Sequence, residues 1–80
     1  MKTVEILLSL GKYLEIWKVP SGDIAVNYQD CELKEGQFLI AAFGTGKTFE
    51  AACEDYMNKL HGKTLVFNAC TDKREEIRVL

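Results

Sequence analysis

The chain has 80 residues, 48% of them hydrophobic and 28% charged, with ten Lys and Arg against twelve Asp and Glu for a net charge of −2. That length holds a single domain, expected over residues 1–80, and the composition excludes a disordered, collagen-like or disulfide-dense chain. The signs are interleaved, so no concentrated basic face exists for nucleic acid or an anionic membrane, and no apolar run approaches the roughly 20 residues of a membrane helix.

The N-terminal Met1-Lys2-Thr3-Val4-Glu5 carries an early acid and no small-residue cleavage site, against a secretory signal. Three cysteines, Cys31, Cys53 and Cys70, match no disulfide framework, and free thiols in the cytoplasm are the expectation. Residues 3–10 alternate, with Val4, Ile6, Leu8 and Leu10 on one side, and residues 13–19 alternate too. Gly11-Lys12 between them predicts a type II′ turn, and so a hairpin over residues 2–19.

Pro20-Ser21-Gly22-Asp23 predicts a turn. Residues 24–28, extending toward Leu33, and residues 37–43 flank Lys34-Glu35-Gly36 and predict a second antiparallel pair. The run Phe38-Leu39-Ile40-Ala41-Ala42-Phe43 lacks alternation, as a central strand covered on both faces would. An amphipathic helix is predicted over residues 48–61: Thr48 is its N-cap, and Phe49, Ala52, Cys53, Tyr56 and Leu60 draw one apolar stripe. Glu50, Glu54, Asp55, Asn58 and Lys59 face away from that stripe. Asp55 and Lys59 make an i, i+4 pair, and Gly62 fits the left-handed position after the helix. Strands over residues 64–68 and 76–80, joined through Thr71-Asp72-Lys73, complete a ββββαββ order. The expected fold is α+β: one antiparallel sheet of five to six strands with one helix packed on one face.

Phe43-Gly44-Thr45-Gly46-Lys47-Thr48 lies where a P-loop would, between a strand and a helix start. A Walker A motif needs glycine at position 41, where this chain has Ala41. Two readings stay open. In one, Gly44 and Gly46 supply turn conformations, Lys47 is solvated and Thr48 caps the helix. In the other, free N–H groups at the helix start, with Gly44, Gly46, Lys47 and Thr48, bind a phosphate or other anion. Gly46-Lys47-Thr48 recurs as Gly62-Lys63-Thr64, which brackets the helix as punctuation.

Cys53 lies on the apolar stripe as a core residue, and no spacing pairs a cysteine with the only histidine, His61, as thiol catalysis would require. The cysteines and His61 show no zinc-ligand spacing. No catalytic residue, metal or cofactor is therefore predicted. Glu50, Glu54 and Asp55 form an acidic contact surface. Tyr13 and Trp17 share one face of the first hairpin, a core face if the helix covers it and a protein interface if it does not.

Residues 37–62, a strand, a glycine turn and then Thr48-Phe49-Glu50-Ala51-Ala52 opening a helix, resemble the HicB-like antitoxins. The resemblance implies a reduced RNase H-like sheet-and-helix fold and neutralisation of a small ribonuclease toxin, often with an added DNA-binding domain; the long first hairpin departs from that pattern. The run Gly46-Lys47-Thr48-Phe49-Glu50-x-Ala52-Cys53-x-Asp55-Tyr56 is also similar to short phage and mobile-element proteins of Gram-positive bacteria. That similarity implies an inhibitor or modulator of a host or defence protein. The expected function is a small non-enzymatic protein-binding module whose partner is another protein or a second copy of the chain, since sheet edges invite pairing. The alternatives are a phosphate or nucleotide site at Gly44 to Thr48 and a HicB-like antitoxin fragment.

Overall fold

The computed structural model describes residues 2–80; Met1, the first residue of the segment read against a secretory signal, lies outside them. The elements in order are α1 (Lys2–Ser9), β1 (Leu14–Lys18), β2 (Ile24–Tyr28), β3 (Cys31–Glu35), β4 (Phe38–Ile40), β5 (Gly44–Gly46), α2 (Phe49–Leu60), β6 (Thr64–Phe67) and β7 (Glu75–Arg78). Every strand pairing is antiparallel, in a three-stranded sheet ordered β1-β2-β5 and a four-stranded sheet ordered β4-β3-β6-β7. The class is α+β, but the expected single sheet of five to six strands with one helix is corrected, among the described residues, to seven strands in two sheets with two helices. Among the described residues no helix is long and apolar enough to cross a membrane.

The first half of the expected 2–19 hairpin is the helix α1. Val4, Leu7 and Leu10 turn toward the core while Ile6 and Leu8 stay exposed, so the three-residue spacing governs and the alternation is incidental. Gly11 ends this helix at φ 70°, its N–H donating to the Leu8 carbonyl at 3.2 Å, and makes no hairpin turn. The hairpin that does form is β1 with β2, closed by the turn predicted at Pro20 to Asp23, where the Gly22 N–H donates to the Val19 carbonyl at 2.8 Å.

Residues 24–33 are two strands in different sheets, separated at Gln29-Asp30 with Asp30 at φ 55°, a left-handed conformation that aspartate tolerates better than most residues. The predicted central strand over 37–43 is instead the three-residue β4 at a sheet edge, with Phe38 74% exposed. Its lack of alternation arises because residues 41–43 leave that sheet and lead into β5 of the other.

The buried cluster draws on both sheets and both helices: Leu7 from α1, Val26 and Tyr28 from β2, Leu33 from β3, Leu65 and Phe67 from β6, and Ala52, Cys53, Tyr56 and Leu60 from α2. The stripe predicted for α2 is thus its buried face, apart from Phe49, which is half-buried at the cluster's margin. Thr48 caps the helix as expected, its hydroxyl accepting from the Ala51 N–H at 3.1 Å, and Gly62 takes φ 75° beyond the other end.

Candidate functional site

Gly44 and Gly46 do not form a turn. They are the first and last residues of β5, paired in register with Val26 and Ile24 and lying directly beneath α2. Neither has a positive φ, so backbone freedom is not what these positions require. A Cβ on Gly44 would stand 2.3 Å from the Ala52 carbonyl oxygen, and one on Gly46 would stand 2.6 Å from the Ala51 Cβ. Glycine is there because strand and helix backbones nearly touch.

The outer edge of β5 is closed by α2. The Thr45 N–H donates to the Asp55 carboxylate at 2.9 Å, the Lys59 ammonium donates to the Phe43 carbonyl at 2.8 Å, and the two side chains pair at 3.2 Å. Carboxylate and ammonium thus stand in for the carbonyl and amide of a neighbouring strand, blocking an edge that would otherwise template another chain. Of the four residues proposed to bind an anion, Lys47 lies 3.0 Å from Asp23, Thr48 is used as the cap, and Gly44 and Gly46 are occupied by packing. The Thr45 amide between the two glycines is already taken by the Asp55 carboxylate.

The Thr45 amide, opposed by partial desolvation and helped by the Lys59 ammonium, holds the Asp55 carboxyl below the usual aspartate value. The folded pKa is therefore lower than the unfolded one, about 3.9. The resulting stability is complete above the unfolded value and is lost as pH falls through the folded one. We expect the wild-type thermal midpoint to fall more steeply than that of Asp55→Asn as pH drops below about 4. Parallel curves would show that Asp55 contributes nothing to acid sensitivity.

The acidic face of α2 is divided. Glu50 is exposed, Glu54 accepts from the Thr3 hydroxyl of α1 at 2.7 Å, and Asp55 turns to β5. It offers no undivided acidic surface.

The aromatic residues do come together. Gly44 and Gly46 face α2, so their register partners Val26 and Ile24 face it too, and Ala25, Thr45 and Trp17 lie on the opposite side of the sheet. Tyr13, just ahead of β1, has the same parity as Trp17. Phe43, just ahead of β5, has the parity of Thr45, and its ring lies 5.8 Å from that of Trp17. Tyr13 is 70% exposed, Trp17 40% and Phe43 44%, around a fully buried Ala25. Lys59 adds a cation over the Phe43 ring at 5.7 Å. Phe43 closes the run expected as a central strand and so falls outside the contact residues expected from sequence. Its alternation with Thr45 was the available signal.

Two of the three thiols, Cys31 and Cys70, share a groove, and Cys53 is buried in the core. Cys31 lines a groove of about 500 Å³ with Asn27, Asp30, Glu32, Asn68 and Cys70, and burial pushes its thiol up to about 11, leaving it protonated at neutral pH. Burial raises Cys53 as well. His61 lines a different, largely apolar groove between α1, α2 and the C-terminal segment, apart from the one that Cys31 and Cys70 share. Among the described residues no three His, Cys, Asp or Glu side chains are grouped to hold a metal. No family model, no curated protein and no solved structure matches the chain.

Proposed function

We propose that the chain is a small, non-enzymatic protein-binding module that engages its partner through Tyr13, Trp17 and Phe43 on the outer face of the three-stranded sheet. One observation carries this reading: three large aromatic side chains, two of them in ring contact, stay substantially exposed on one sheet face. Exposed apolar patches mark interaction sites, and tryptophan and tyrosine are the side chains most enriched where binding energy concentrates. Lys59 and Glu15 border the patch and supply the polar rim such interfaces carry. The similarity of the Gly46 to Tyr56 run to phage proteins directs the partner search to host and defence proteins of Gram-positive bacteria, where the module would act as an inhibitor or modulator.

Capture from such a lysate on immobilised wild-type protein, beside the double variant Trp17→Ser, Phe43→Ser, provides the test. A partner held at this face is expected to bind the variant at least about 30-fold more weakly, the loss that follows from removing a hot spot of about 2 kcal/mol. Far-UV circular dichroism should be unchanged. Equal retention on both columns would remove the aromatic face from any binding role.

A further inference from the structure

The four sheet edges are not treated alike. β5 is closed by Asp55 and Lys59, β4 is only three residues long, and β7 carries Glu75, Glu76 and Arg78, charges that discourage pairing. β1 has five residues and no side chain closing its edge, and its two charges, Glu15 and Lys18, leave the centre of the strand uncharged. The Tyr13 carbonyl accepts from the Gln29 N–H, and the Val19 N–H donates to the Asp23 carbonyl. Odd-numbered residues of β1 therefore direct their backbone groups to β2, and Leu14, Ile16 and Lys18 direct theirs outward. Among the described residues nothing bonds those outward groups. At the middle of this edge Ile16 is 58% exposed, an apolar side chain where an edge strand ordinarily places a charge.

We infer that two copies of the chain pair antiparallel through β1, with Ile16 against Ile16 of the second copy on the twofold axis. The register is fixed by the strand's own sequence. Centred on Ile16, all five residues find partners: Leu14 opposes Lys18, Glu15 opposes Trp17, and no like charges stand directly opposite. Moving the axis to Glu15 sets two carboxylates face to face. Moving it to Trp17 sets Leu14 against Pro20, which has no N–H to give. In the favoured register the three outward residues form three hydrogen-bonded pairs, and the two three-stranded sheets join as one, β5-β2-β1-β1-β2-β5. The closed edges of β5 become its two ends, so the assembly stops at two copies. Both aromatic clusters then lie on the same side of the joined sheet. The pairing itself does not depend on what those clusters bind.

Sedimentation equilibrium and amide hydrogen exchange on the purified chain test the pairing without any partner, at concentrations up to about 1 mM. The expected results are a mass twice the 9.0 kDa of the chain and slow exchange at the Leu14, Ile16 and Lys18 amides, matching that at Glu15 and Trp17. Ile16→Pro removes an N–H that bonds to nothing within the chain, a substitution edge strands tolerate, and should give a folded monomer. Ile16→Lys should do the same with the backbone intact. A wild-type monomer throughout that range, a dimer whose three amides exchange rapidly, or a folded dimer of Ile16→Lys would each overturn the inference. Since none of these readouts involves a captured protein, the pairing and the aromatic-face reading stand or fall separately.

Discussion

Gly44→Ala is expected to lower stability by about 3 kcal/mol or more, at or beyond the top of the usual range for overpacked cores. The added methyl would stand 2.3 Å from the Ala52 carbonyl oxygen and 2.4 Å from the Tyr56 nitrogen, where carbon contacts normally settle near about 3.5 Å. Both obstacles are helix backbone, so no rotamer change relieves the clash and α2 itself must shift. That shift would carry Ala52, Cys53, Tyr56 and Leu60 out of the cluster they fill. A chain of this length has roughly 4 to 12 kcal/mol in total, so the variant should be largely unfolded at the weaker end of that range. Gly36→Ala is the control. Its added methyl meets nothing within 4 Å, although φ is 59°, and it should lose only the left-handed strain of about 1 to 2 kcal/mol. Urea midpoints decide between them. Gly44→Ala within 1 kcal/mol of wild type would mean that strand and helix are not in the close contact described.

The same glycines show where sequence reasoning stops. A glycine required by helix packing and one required by a turn are identical in sequence; only the position of α2 above β5 distinguishes them. α2 was legible because stripe, cap and terminal glycine agree, and its Asp55–Lys59 pair is present. α1 was not, since Val4, Ile6, Leu7, Leu8 and Leu10 satisfy both the two-residue and the 3.6-residue period, and burial of Leu7 settles the choice. The division into two sheets depends on β3 pairing with β6, some 30 residues apart, for which no local signal exists. Two of the three residues of the aromatic cluster are visible in the sequence through the shared parity of Tyr13 and Trp17. Phe43 joins it only through the register of β5 on β2.

Tyr56 is where the second large effect is expected. Even-numbered residues of β2 turn toward β5, but β5 ends opposite Val26, which leaves the buried Tyr28 N–H without a strand partner. The Tyr56 hydroxyl accepts it at 3.0 Å, while the Tyr28 hydroxyl donates to the Leu7 carbonyl, one of the carbonyls that the end of α1 leaves free. Burial pushes both phenols above their usual range, so they stay neutral hydrogen-bonding groups at any working pH. Tyr56→Ala removes the acceptor and the ring that packs 5.8 Å from Tyr28, and should lower stability by about 3 to 5 kcal/mol. Tyr56→Phe keeps the ring and orphans only the Tyr28 N–H, a loss of about 1 to 3 kcal/mol. Urea unfolding of both variants, with amide exchange at Tyr28, separates the two contributions. A Tyr56→Phe protein as stable as wild type would assign the whole effect to ring packing, and the hydroxyl would then have no part in joining β2 to α2.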